Sequence, residues 1–158
     1  MKGDAKVIEF LNEALKNELT AINQYFLHSK MLDNWGVSKL AKFEYEESID
    51  EMKHADKLAE RILFLDGLPN FQLLGRIKIG ETVEEILKAD LELEHEALPQ
   101  LKNAIEHSES VRDYVSRDLF AEILENEEEH VDTLEKQFDM IERMGIENYI
   151  QLQSESAE

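Results

Sequence analysis

The sequence predicts an all-α fold: an antiparallel four-helix bundle with one long crossover and a short fifth helix near the C-terminal end. Three observations carry that expectation. Gly and Pro are scarce, six and two in 158 residues, while 42% of the chain is hydrophobic and 34% charged. That is the balance of long amphipathic helices rather than of turn-rich sheets. Apolar residues recur at helical period through four long stretches, and one long segment, 67–81, separates the second stretch from the third.

The first helix is expected over about 4–34, with Gly36 after it as a left-handed cap. Ser38 is a candidate cap for the second, about 39–66, which stops at Asp66-Gly67-Leu68-Pro69. Thr82 with Glu85 makes a capping-box pattern that opens the third, running to about 109. Pro99 removes one backbone donor inside it and is expected to kink it near Glu94–Pro99. A junction at 110–113 leads to the fourth helix, ending near Met144-Gly145, and a short fifth fits 146–152. Residues 1–153 then form one domain and 154–158 a disordered tail.

Segment 67–81 is long for a bundle loop. At about 3.3 Å per residue it can reach roughly 50 Å, more than the length of about 42 Å expected for a 28-residue helix. It can therefore run the whole length of the bundle and start the third helix parallel to the second.

Charge narrows the function. With 17 basic and 36 acidic residues the chain carries a net charge of −19, which repels nucleic acid and anionic membrane and draws cations. Cysteine is absent, excluding disulfides, thiolate zinc sites and iron–sulfur clusters on this chain. No apolar run approaches a membrane span, and the first residues lack the apolar core of a secretion signal, so a cytoplasmic protein is expected.

One pattern stands out within this frame. Glu-x32-Glu-x-x-His occurs as Glu18…Glu51-Met52-Lys53-His54 and again as Glu94…Glu127-Glu128-Glu129-His130, each position of the second copy 76 residues after its counterpart. Within each Glu-x-x-His the three-residue spacing puts both side chains on one helix face. That face is apolar: Leu11, Leu15, Ile22 and Tyr25 flank Glu18, and Leu58, Ile62 and Leu65 follow His54. The suspected ligands therefore point inward. Each lies roughly 22–27 Å from its interhelical turn at 1.5 Å per residue, so all four helices deliver carboxylates to one level. Four buried carboxylates repel one another and take up protons unless cations neutralise them. Two divalent ions cancel four charges, and oxygen-rich donors with one imidazole per ion suit iron or manganese. The same donor set is the known signature of ferritin-like di-iron and di-manganese proteins.

Other residues carry less. His28, His95 and His107 occur singly and are expected at surface or interface positions. Tyr25, seven residues after Glu18 and on nearly the same face, is either a hydrogen-bond partner of the site or a core residue. Tyr45, Ile49 and Met52 form a second apolar stripe on helix two, away from the interior, matched on helix one by Leu19 and Phe26 with Asn23 nearby. Such a stripe suggests burial against another subunit. A two-fold contact there would bring two copies of Met52 together, as gap-filling side chains or as thioether ligands of haem iron.

The chain resembles the bacterioferritin family. The likeness runs from Met1-Lys2-Gly3-Asp4 to about Gln153, through Asn17-Glu18-Leu19, Ala21-Ile22-Asn23-Gln24-Tyr25-Phe26-Leu27-His28, Glu47-Ser48-Ile49-Asp50-Glu51-Met52-Lys53-His54-Ala55-Asp56, Asp113-Tyr114-Val115-Ser116-Arg117-Asp118 and Met144-Gly145-Ile146-Glu147-Asn148-Tyr149. The resemblance implies a shell of twenty-four helical subunits that stores ferric mineral. It implies a ferroxidase centre, a dinuclear iron site, at Glu18, Glu51, His54, Glu94, Glu127 and His130. Glu51 and Glu127 would bridge the irons, Glu18 and Glu94 would be terminal, and His54 and His130 would each hold one. It also implies haem b on the subunit two-fold axis, ligated by Met52 from both partners and shared by each subunit pair. Ferrous iron is then the substrate, O2 or H2O2 the oxidant, and a bacterioferritin-associated ferredoxin the electron donor for iron release. Some members carry histidine where this chain has Glu46, joining Asp50 at an inner-surface iron position. Two rivals stay open: a di-iron oxidase without storage, as in rubrerythrin-like proteins, and a metal-free shell subunit or helical adaptor.

Overall fold

The computed structural model describes residues 1–156; positions 157–158, part of the tail expected to be disordered, lie outside the described residues. Five helices form: α1 (Ala5–Asn34), α2 (Ser38–Phe64), α3 (Val83–Ser110), α4 (Tyr114–Met144) and α5 (Ile146–Gln153), with no strand among the described residues. Asp4 caps α1 by accepting from the backbone N–H groups of Lys6 and Val7, and Thr82 Oγ1 caps α3 by accepting from Glu85 N–H. Asp113 does the same for α4 through Ser116 N–H. The cap expected at Ser38 is not made. Ser38 is the first helical residue and Val37 precedes it with no side-chain cap bond, because the chain is still closing the end of α1 there. Gly36 takes the left-handed conformation (φ +84°), and Val37 N–H reaches back to the Leu32 carbonyl, the six-to-one closure of a helix C-terminus. α3 continues through Pro99 as one helix.

α1 pairs with α2, α3 with α4, and α1 lies against α3. Two large apolar clusters result, one toward each end, with a small third one of Ala21, Tyr25 and Leu93. The first collects Val7, Leu11, Leu15, Leu58, Ile62, Leu101, Phe120 and Ile123. The second collects Leu32, Leu40, Ile86, Leu87, Leu134 and Tyr149, so α5 closes that end. Burying each such side chain stabilises the fold by roughly 1.5–3 kcal/mol relative to leaving it in water. Every long helix passes from one cluster to the other, and between them each crosses a middle layer that carries Glu18, Glu51 and His54, Glu94, and Glu127 and His130. The strong apolar ends hold a polar centre that packing alone would not keep buried.

Segment 67–81 runs the length of α1. With no helix or strand of its own, its backbone needs partners, and α1 supplies them from one face. Asn12 Oδ1 accepts from Asn70 N–H (2.8 Å), Thr20 Oγ1 from Gly75 N–H (2.8 Å), Gln24 Oε1 from Lys78 N–H (2.9 Å) and His28 Nε2 from Gly80 N–H (3.0 Å). The acceptors lie at multiples of four residues, so one polar stripe serves the whole crossover. His28 is thus wholly buried, not at the surface as its isolation in sequence suggests. His95 is exposed, and His107 is partly exposed with Nε2 2.9 Å from Asp4 Oδ2.

The close approach at the crossover's end makes a testable point. A Cβ on Gly80 would fall 2.3 Å from Ile86 N and 2.6 Å from Ile86 Cα, both backbone atoms at the start of α3. Gly80→Ala is expected to destabilise the fold by about 1–3 kcal/mol, seen as a lower denaturation midpoint. An unchanged midpoint would mean that the crossover can lift off α3 without cost.

Candidate metal centre

The six residues of the repeated pattern meet at mid-bundle, each at most 9% exposed. Their donor atoms fall into two groups, each within a 4.8 Å span: Glu18, Glu51, His54 and Glu127 in one, Glu51, Glu94, Glu127 and His130 in the other. Glu51 and Glu127 belong to both. Each divides its oxygens between the two histidines. Glu51 Oε2 lies 3.8 Å from His54 Nδ1 and Oε1 lies 3.1 Å from His130 Nδ1. Glu127 Oε1 lies 3.3 Å from His54 Nδ1 and Oε2 lies 3.3 Å from His130 Nδ1. Glu18 Oε2 stands 3.5 Å from His54 Nδ1, and Glu94 Oε1 stands 3.6 Å from His130 Nδ1. Glu18 Oε2, Glu51 Oε1, Glu127 Oε1 and both Nδ1 atoms are buried without a hydrogen-bond partner. Buried polar atoms are normally satisfied, and here the unsatisfied ones converge. A cavity of about 20 Å³ lies among the four glutamates, so the donor set fits a pair of small cations.

A family model for the ferritin-like domain matches residues 8–144. A bacterioferritin of Brucella melitensis is 49% identical over the whole chain and 98% of its own length. One from Streptomyces coelicolor is 51% identical over 95% of this chain and 90% of its own length. One from Rhodobacter capsulatus is 50% identical over 94% and 92%. This chain belongs to the bacterioferritin family.

Around the centre of this bacterioferritin-family chain lies a layer that the repeat did not reveal. Tyr25 donates to Glu94 Oε1 at 2.5 Å and also packs in the core against Ala21 and Leu93, so both of its readings hold. Behind His130, Glu47 Oε2 stands 2.7 Å from Nε2; behind His54, the Asn126 amide stands 3.1 Å from Nε2. Asp50 groups with Glu47 and His130, whereas Glu46 is exposed beside Lys42. Nothing in the periodicity marks Glu47 or Asn126. Only their place one helical turn or one residue before a suspected ligand would have singled them out.

A third acidic cluster, His28, Glu44 and Asp90, is fully buried. Its geometry favours protons over metal. His28 Nε2 is taken by Gly80 N–H, so the ring's proton sits on Nδ1 and is donated to Asp90 Oδ1 at 2.9 Å, where Gln24 also donates. Burial and the adjacent Asp90 hold the Glu44 carboxyl well above the usual carboxylate range.

Electrostatics at the centre follow from the same crowding. Burial, then Glu51 and Glu127, hold Glu18 well above the usual range. Burial and Glu127 push Glu94 up to about 8. Burial also disfavours the charge on Glu51, but the neighbouring Glu18 carboxyl and both imidazoles outweigh it and lower Glu51 to about 2. Burial opposes the charge on His54, yet Glu127 and Glu51 raise it to about 9; His130 is raised in the same way, by Glu127 first. Protons on Glu18, Glu94 and both imidazoles therefore balance the carboxylate charge, and metal must displace them.

Loading Zn2+ or Co2+ is accordingly expected to release protons, on the order of four per pair of ions near pH 7. Glu94, raised to about 8, is mostly protonated below that pH, so affinity should fall as pH drops from about 8 to 6. Calorimetry in buffers of different ionisation enthalpy counts the protons, and an affinity flat over that window would remove this competition.

Proposed function

We propose that this chain is a ferroxidase subunit of a haem-containing iron store, with Glu18, Glu51, His54, Glu94, Glu127 and His130 binding two ferrous ions. The observation that carries this reading is the division of Glu51 and Glu127, each with one oxygen toward each histidine. A carboxylate so placed can bridge two ions, leaving Glu18 and His54 to complete one position and Glu94 and His130 the other. Iron storage as the coarser function is supported by the family, whose members matched here are bacterioferritins along nearly their whole length.

Ferrous iron is the substrate. Two ions held together each surrender one electron, so the pair delivers two electrons to one oxidant: two Fe2+, O2 and two protons give two Fe3+ and H2O2, or two Fe2+, H2O2 and two protons give two Fe3+ and two waters. Protein groups contribute by holding both ions at one level, by excluding bulk water, and by supplying a proton donor, Tyr25 O–H, to Glu94. Ferric product then passes to the interior of a shell of twenty-four subunits.

Haem b is proposed at Met52. The side chain is 51% exposed and stands on a face with exposed Phe26, Tyr45 and Ile49, an apolar setting that suits a porphyrin held between two copies of the chain. When bound, the group supplies one-electron transfer across the shell for release of stored iron, with a bacterioferritin-associated ferredoxin as donor. Met52 is 51% exposed, whereas the six residues of the centre are each at most 9% exposed.

Two variants separate the functions. Met52→Leu is expected to abolish haem binding, read as loss of the Soret band, while sparing the fast phase of Fe2+ oxidation. Glu127→Ala with His130→Ala should abolish that fast phase and leave haem in place. Retained fast oxidation in the double variant would falsify the dinuclear assignment. Light scattering that finds a dimer instead of a hollow shell would favour an oxidase without storage.

A further inference from the structure

The two halves of the centre match in their ligands but not in what stands behind them. Shifting the first copy by 76 residues carries Glu18 to Glu94, Glu51 to Glu127 and His54 to His130. The same shift carries Glu47 to Ile123 and Asp50 to Asn126. His130 thus has two acids behind its outer nitrogen: Glu47 Oε2 at 2.7 Å from Nε2, and Asp50 within the same 4.8 Å group. Behind His54 Nε2 stands the neutral Asn126 amide at 3.1 Å, and the position equivalent to Glu47 is Ile123, a wholly buried member of an apolar cluster.

We infer that the two metal positions are unequal, and that Glu47 is the positioning residue that makes the Glu94–His130 position the tighter one. A ligating imidazole gives its Nδ1 lone pair to the metal, so Nε2 carries the proton. A carboxylate beside that proton, as Glu47 Oε2 stands at 2.7 Å in an ion-pair contact, holds the ring and makes it a stronger donor; a neutral amide does so less. Glu47 is 8% exposed, so its charge acts on His130 with little screening. The two other nearby cations do not reverse the order. Lys53 lies 3.9 Å from Asp50 on an exposed pair, and Lys57 is engaged by Glu122 at 2.5 Å. Asn126 faces His54 as a carboxamide whose oxygen must turn toward Nε2–H when Nδ1 holds a metal.

This rests on the dinuclear reading above, and the test separates the two. Co2+ is titrated into the purified full-length protein and followed by its visible absorption, and crystals grown at one Co2+ per chain are read by anomalous scattering. Two binding steps about 10–100-fold apart are expected, that being the usual effect of such an outer partner, with the first ion between Glu94 and His130. Asn126→Asp should strengthen the His54 position and narrow the gap, leaving the spectrum of the first ion unchanged. Glu47→Gln should narrow the gap from the other side and shift that spectrum. Equal occupancy of both positions, or preference for the His54 side, would overturn the inequality while leaving the dinuclear centre intact. Cobalt held on the outer nitrogen of His130 between Glu47 and Asp50 would overturn the positioning role. No binding at either position would overturn both readings.

Discussion

Keeping four carboxylates inside an apolar bundle is the constraint on which the rest of this structure turns. Glu18, Glu51, Glu94 and Glu127 are each at most 4% exposed and lie at one level. Charges in such surroundings must be neutralised by protons or by metal. The apolar clusters at the two ends supply the stabilisation that lets this layer persist, because each helix is anchored on both sides of it. The centre is thus held from outside by packing, and its own donors are free to face one another instead of holding the helices together.

Positions in this layer form graded roles rather than a single set. Six side chains face the centre directly. Tyr25, Glu47 and Asn126 touch those six from behind. His28, Gln24, Glu44 and Asp90 form a further network tied to the crossover. The crossover is therefore more than a connector: its backbone is anchored by the helix that carries Glu18, and its far end meets the cluster one turn from Glu94. Asp90, on the same helix as Glu94, ties the acid layer to the segment that sets the direction of α3.

A separate logic governs the outer faces. Phe26, Tyr45, Ile49 and Met52 are exposed on the single chain, although none is placed to be a surface residue by chemistry. No helix among the described residues is long and apolar enough to cross a membrane. An apolar band of this kind fits contact with another copy of the chain, which is also what a shared haem would require.

The helices and the six inward donors were legible in the chain itself because each is written as a period, apolar residues at 3.6-residue spacing and a ligand pattern repeated at 76 residues, and the crossover because segment 67–81 is long enough to span the bundle. The family likeness adds expectations for Met52 and for Glu51 and Glu127 as bridges. What the chain could not show is whatever depends on residues from different helices meeting without a shared period. His28 looks like an isolated histidine until Gly80, 52 residues away, donates to it. Ser38 looks like a cap until the closing turn of α1 uses the residue before it. Glu47 and Ile123 are equivalent by repeat and opposite in chemistry, yet only the packing of α2 against α4 brings Glu47 to His130 and gives that difference a consequence. Periodic burial is a local property that one chain can carry along its length, whereas a hydrogen bond between distant helices exists only once tertiary packing has chosen their heights and rotations.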